Sequence, residues 1–236
     1  MAAPAIEIAG LRKTFPLPGE GGAEVEIVNI PAFSLETGSQ TALAGESGSG
    51  KTTLLNLISG ILMPESGSIR IAGTDITALS EAARDRHRAR HTGYVFQSFN
   101  LLQGYSALEN VTLASSLAGT ANTARARELL DRVGLGGKLR HRPRELSAGQ
   151  QQRVAVARAL INRPTVVLAD EPTGSLDARN AAAVLDLLQT LCREEGAALL
   201  LVSHDPKVTG AFGTVIAFSE LNQASGSRGI QGGNAA

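Results

Sequence analysis

The chain has one cysteine, Cys192, among 236 residues, so no internal disulfide can form. That scarcity fits a reducing compartment, and Cys192 reads as an ordinary helix residue. No Cys/His pairing at metal-site spacing occurs, which removes a structural zinc centre. Net charge is missing too, since 22 Lys+Arg balance 22 Asp+Glu. Nucleic-acid binders usually show a basic excess, so no nucleic-acid partner is expected. The N-terminal MAAPAIEIAGLRKTF lacks a basic segment followed by a long apolar stretch, so no signal peptide is read there. The longest apolar run, 196–202, falls far short of the ~20 residues of a membrane helix. The expectation is a soluble protein without direct membrane insertion, whose membrane part, if any, is another chain. No internal repeat is visible.

What is present is an ordinary globular composition, 43% hydrophobic and 19% charged, long enough for one sizeable core with a subdomain. Alternation marks strands at Ile6–Leu11, Val25–Ile30 and Ser39–Ala44, with a turn-rich excursion over Pro16–Gly22. Lys51–Ile61 reads as a helix ended by Pro64, and Ser80–Arg90 as a charged helix between strands Ser68–Ile71 and Gly93–Phe96. From Gln97 to about Gln152 the pattern is helical, with helices at Leu108–Leu117 and Ala124–Val133. Gln150–Ile161 is a helix stopped by Pro164, and Asn180–Glu195 a helix capped by Gly196. Val166–Ala169 and Ala198–Val202 are continuous apolar runs, the mark of buried parallel strands, and Val215–Phe218 reads as a last strand. Residues 219–236, rich in Gly, Ser, Asn and Gln, are expected to be disordered. Strand–helix alternation makes this an α/β chain with a doubly wound parallel sheet, whose ligands bind beyond the carboxyl ends of the strands.

The chemistry-bearing residues fall at those ends. Gly45-Glu46-Ser47-Gly48-Ser49-Gly50-Lys51-Thr52 fits G-x-x-x-x-G-K-[ST] between a strand and a helix. Its glycines let backbone N–H groups wrap a phosphate, the helix start adds its dipole, and Lys51 adds a charge. The Thr52 hydroxyl suits Mg²⁺. Asp170 and Glu171 end an apolar strand; the first can hold Mg²⁺, and the second can orient or deprotonate an attacking water. His204 follows the next strand and can reach a γ-phosphate at the same edge; a surface turn histidine is the bland alternative. His87, His91 and His141 sit among arginines and read as a solvated face. Gln97 follows the strand Gly93–Phe96, where an amide can touch Mg²⁺ or water. Ser147-Ala148-Gly149 opens a helix, which is either an anion site or a plain N-cap.

Taken together, these residues resemble the ATP-binding cassette ATPases over about residues 5 to 218, with the family's motifs in the family's order. The resemblance implies a P-loop NTPase (RecA-like) parallel-sheet core, an N-terminal antiparallel β subdomain and an inserted helical subdomain over about residues 97–152. It implies that Gly45 to Thr53 is the Walker A loop, Thr53 included, and that Gln97 is the Q-loop glutamine. Leu146 to Gln150, with Ser147, Ala148, Gly149 and Gln150, is similar to the signature. Val166 to Asp170 matches the Walker B strand, Glu171 the catalytic base, Ser175-Leu176-Asp177 the D-loop and His204 the switch histidine. Phe15 falls where the family stacks an aromatic on adenine. The implied cofactors are ATP and Mg²⁺. The implied partners are a second copy, paired head to tail, and a transmembrane permease subunit, on the cytoplasmic face of the membrane. Phe96-Gln97-Ser98-Phe99-Asn100-Leu101-Leu102 and Glu171-Pro172-Thr173-Gly174-Ser175-Leu176-Asp177 are similar to the macrolide-efflux and lipoprotein-release group. Polar amino-acid importers, or a regulatory cell-division cassette without transport, are the alternatives. One departure stands out: the signature commonly has Gly at its third position, and here it is Ala148, which restricts the backbone if φ must be positive.

Overall fold

The computed structural model describes residues 3–17 and 24–224. The chain opens with β1 (Ile6–Pro16), β2 (Glu24–Leu35) and β3 (Gln40–Ala44), and a loop leads from β3 into α1 (Lys51–Ile58). Next come β4 (Ser66–Ile71), β5 (Thr74–Asp75), α2 (Glu81–His91) and β6 (Thr92–Val95). Three helices, α3 (Ala107–Leu117), α4 (Thr123–Arg132) and α5 (Ala148–Leu160), separate β6 from β7 (Val166–Asp170). Then come α6 (Ala178–Glu194), β8 (Ala198–Ser203), the one-turn α7 (Pro206–Thr209), β9 (Thr214–Ala217) and α8 (Phe218–Leu221).

The strands sort into an antiparallel sheet, β2-β1-β4-β5, and a parallel sheet, β6-β7-β8-β3-β9. Period-two alternation along the buried parallel strands feeds two cores. Val167, Ala169, Leu199 and Leu201 point into one core with α3, α4, α5 and α6. Val166, Leu168, Leu200 and Val202 point into the other, with α1 and the antiparallel sheet. Each such valine or leucine, fully buried, contributes about 1.5–3 kcal/mol. The parallel register levels the strand ends: Ala44 pairs with Ser203, and Asp170 with Val202. Two bonds extend that edge, Gly45 N–H to the Ser203 carbonyl (3.3 Å) and Glu171 N–H to the Val202 carbonyl (3.1 Å). Three loops therefore leave the sheet side by side.

Several boundaries differ from those read in the sequence. The helix after the glycine loop ends at Ile58, not Ile61, because Gly60 takes φ +69°. Gly60 N–H then bonds the Leu57 carbonyl and Ile61 N–H the Asn56 carbonyl, a Schellman stop before Pro64 can act. Ile61 is left 55% exposed. The tail does not lose order at Ser219: α8 runs through it, and the buried Asn222 side chain accepts from Asn29 N–H (2.7 Å) and donates to the Ile27 carbonyl (2.8 Å). Residues 225–236, and 18–23 of the Pro/Gly excursion, lie outside the described residues. His87 and His91 are not a solvated face. They are half-buried and stacked with centroids 4.4 Å apart, and burial lowers both pKa values. Cys192 is a buried α6 residue whose thiol burial pushes up to about 12.

Candidate functional site

The loop between β3 and α1 depends on one glycine above all. Gly50 has φ +101°, and a Cβ there would sit 2.9 Å from the Ile27 carbonyl oxygen. Only glycine satisfies both the left-handed backbone and that approach. Lys51, 6% exposed, bends back so that Nζ donates to the carbonyls of Gly45 (2.7 Å) and Glu46 (2.6 Å). Burial pushes its pKa down, against the pull of Glu171, Asp170 and Glu46.

Asp170, 9% exposed, accepts from the Thr52 hydroxyl at 3.2 Å. Burial pushes its carboxyl above the ordinary range against that hydrogen bond, with Glu171 adding to the rise and Lys51 opposing it. A hydroxyl and a carboxylate this close form the hard-oxygen pair that a P-loop offers Mg²⁺, which takes few protein ligands and keeps phosphate and water. No cluster of three or more His, Cys, Asp or Glu that could hold a metal exists among the described residues. A metal here would therefore depend on the phosphates as well.

Glu171 follows at once and carries φ +43°, left-handed for a residue with a side chain. Strain of this kind gathers at functional sites and persists only where neighbours hold it. Its carboxylate is held on both oxygens: Ser203 Oγ donates to Oε2 at 2.7 Å and His204 N–H to Oε1 at 2.9 Å. His204 Nδ1 lies 2.6 Å from the same Oε1, and the imidazole is 57% exposed.

These groups line one cleft of about 470 Å³, with Phe15, Ile27, Ser47, Gly48, Thr53 and Gln97. The structure thus brings together Phe15, most of the glycine loop, Gln97, Asp170, Glu171 and His204. Phe15 is half-buried near the end of β1, with Lys13 Nζ 5.4 Å from its ring centroid. Gln97 is exposed, its carbonyl accepting from Ser175 Oγ at 3.3 Å.

Two predicted groups are not brought there. Ser147 and Ala148 are exposed at the start of α5, closed by a reciprocal capping box between Ser147 and Gln150. Ala148 is the first residue of the helix and is not among the positive-φ residues, so alanine meets no backbone conflict. Asp177 caps α6, accepting from Asn180 N–H (3.0 Å) and Nδ2 (2.6 Å), which hold its carboxyl below the usual range. Gly149 faces that cap: a Cβ there would lie 3.0 Å from Asn180 Oδ1.

The sequence reading missed Gln152, which is fully buried and donates from Nε2 to the Pro172 carbonyl at 2.6 Å. Its signal was there: a glutamine one turn after Gly149 and one before Val156, on an otherwise apolar stripe. Ser203 had a weaker one, a lone hydroxyl ending an apolar strand.

A parallel sheet with a lysine-bearing glycine loop, an acid pair and a histidine on adjacent strand ends defines a P-loop nucleotide-binding protein. Comparison narrows this. The family model for ABC transporters matches residues 28–174. The chain is 44% identical over 190 residues to the lipoprotein-releasing system ATP-binding protein LolD of Chromohalobacter salexigens, covering 79% of this chain and 80% of that protein. It is 44% identical over 208 residues to the macrolide export ATP-binding/permease protein MacB 1 of Aeromonas hydrophila, covering 87% of this chain. The chain spans about a third of that longer relative, 32%. A dimeric post-hydrolysis structure of the ATP-binding cassette MJ0796, bound to ADP and Pi, superposes with a TM-score of 0.80 at 33% identity, covering 90% of this chain and 93% of that one. The chain belongs to the ABC transporter ATP-binding family. No helix of the described residues is long and apolar enough to cross a membrane.

Proposed function

We propose that this chain is the ATP-hydrolysing component of a bacterial ABC transporter, working as a head-to-tail pair of copies that drives a membrane-spanning permease. The observation that carries this reading is the Glu171 carboxylate, held on both oxygens by Ser203 and His204 beside the Lys51 loop. In this reading Lys51 and the backbone N–H groups of 45–53 hold the phosphates, and Phe15 faces the base. Thr52, Asp170 and Gln97 would hold Mg²⁺, which supplies charge neutralisation on the phosphate oxygens. Glu171 takes a proton from the attacking water as its oxygen bonds to the γ-phosphorus and the bond to the β–γ bridging oxygen breaks. His204 fixes Glu171 and offers a hydrogen bond towards the γ-phosphate. Ser147 to Gln150 and Asp177, with Ser147, Ala148 and Asp177 exposed in one copy, belong to the site of the other.

The membrane partner is supported by a groove of about 400 Å³ between α2 and α3, lined by Ile61, Tyr94, Phe96, Leu117 and Arg158. Leu117 is 70% and Ile61 55% exposed there, an apolar patch of the kind that marks a docking face. Placement at the cytoplasmic face of the membrane follows from such a partner. The relatives' names favour efflux or lipoprotein-type release. The test is capture of the tagged chain from membranes with crosslinking, together with its ATPase activity with and without Mg²⁺. Recovery of a permease and Mg²⁺-dependent hydrolysis support the reading. A solute-binding protein in the complex would point to an importer, and absence of hydrolysis would sink the reading.

A further inference from the structure

After β6 the chain carries Gln97 and then turns through two successive left-handed residues, Phe99 at φ +56° and Asn100 at φ +49°. Neither is glycine. Asparagine tolerates this region, but phenylalanine does so poorly, and each such residue is strained by about 1–2 kcal/mol. A turn of this kind needs an outside hold. Arg158, near the C-terminal end of α5, provides one: Nη2 donates to the Phe99 carbonyl at 2.8 Å and Nη1 to the Asn100 carbonyl at 2.5 Å.

This arginine is otherwise hard to explain. No carboxylate pairs with it among the described residues, and burial lowers its pKa. A partly buried guanidinium without a counter-ion is costly unless its donors are engaged. Here they engage the two strained carbonyls. The same helix grips the front of the segment: Gln152 Nε2 reaches the Phe96 carbonyl at 3.4 Å while holding Pro172. Gln97 and Ser98 thus span two anchor points on α5, the helix that Ser147 opens.

We propose that Arg158 is the positioning residue for Gln97: its forked donors hold the left-handed turn at Phe99 and Asn100, which aims the 97–98 segment at the nucleotide cleft and ties it to the signature helix. This rests on the function proposed above only for its kinetic consequence. A lysine cannot reproduce the fork, because one ammonium serves both carbonyls as a point charge. A glycine at 100 makes the turn intrinsically accessible and weakens the need for a clamp.

The experiment uses the full-length chain with Arg158→Lys, Asn100→Gly and the double variant. In Arg158→Lys, kcat for MgATP should fall about tenfold with KM within about twofold, the signature of an interaction that acts in the transition state. Amides 98–101 should exchange hydrogen faster, with global thermal stability little changed. Asn100→Gly in the Arg158→Lys background should restore kcat to within about threefold of the unsubstituted chain, which replacement of a merely structural arginine would not allow. Unchanged exchange at 98–101, or no rescue by Asn100→Gly, would overturn the clamp. Lack of hydrolysis by the unsubstituted chain would remove the proposed function and leave the exchange result to judge the clamp alone.

Discussion

The two glycine-bearing helix starts, at α1 and α5, are built in opposite ways. Around α1, Lys51 turns back on its own loop, while Thr52 meets Asp170 and Glu171 meets Ser203 and His204 across the sheet edge. Burial shifts pKa values there, strain is stored at Glu171, and a cleft closes around the groups. At the first turn of α5 the polar groups stay local. Ser147 and Gln150 cap one another, and Ser147 and Ala148 are exposed. The first region is a finished half-site in one chain. The second is a locally capped helix start, and in the proposed function it is the part that a second copy would use.

That contrast can be broken at either end. The largest effect should follow Glu171→Gln, which keeps the side chain's shape and one accepting oxygen but removes the base. Turnover should fall by about 10³-fold, in the range of general-base contributions. ATP should then hold two copies together, visible as a doubled mass by light scattering; turnover at the unsubstituted rate would end its assignment. Ser203→Ala removes one charged hydrogen bond to that carboxylate, an interaction worth about 1.5 kcal/mol. A roughly tenfold loss of kcat with unchanged KM should follow, and an unchanged kcat would show that His204 suffices to hold Glu171.

Asp170→Asn should separate stability from activity. The Asp170 carboxyl has a raised folded-state pKa, so its ionised form costs the fold stability above that pKa and costs nothing well below the unfolded value. Without nucleotide, the variant should melt higher at neutral pH, while losing Mg²⁺-dependent hydrolysis. The gain in melting temperature should vanish as pH is lowered below the usual aspartate range. A variant less stable at neutral pH would contradict the desolvation argument.

The smallest effect is expected on the other side. Ala148 sits at the first turn of α5 with helical backbone, so Ala148→Gly should leave ATPase activity within about twofold, glycine costing only helix propensity there. A large loss would mean that the Ala148 methyl makes a contact in the paired state.

Most of the nucleotide-facing edge was legible because its signals are local. A glycine loop between an apolar strand and a helix, or an acid pair closing an apolar run, states its chemistry within about ten residues. Helix ends were less legible. The stop of α1 lay in Gly60, four residues before the proline that drew attention, since a left-handed glycine ends a helix at least as firmly as a distant proline. At the start of the tail, Gly- and Ser-rich composition conceals Asn222, whose side chain pairs with backbone of β2, 193 residues away.

What lies beyond any local pattern is the matching of segments that parallel pairing brings together. Sequence named Lys51, Asp170, Glu171 and His204, with the chemistry each could perform. Only the strand order β7-β8-β3 set Ser203 against Glu171, and only the packing of α5 set Gln152 against Pro172 and Arg158 against Phe99 and Asn100. A residue's type announces what it can donate or accept. Which carbonyl or carboxylate it meets depends on contacts between distant parts of the chain, and those exist only once the sheet and the helix layer have closed.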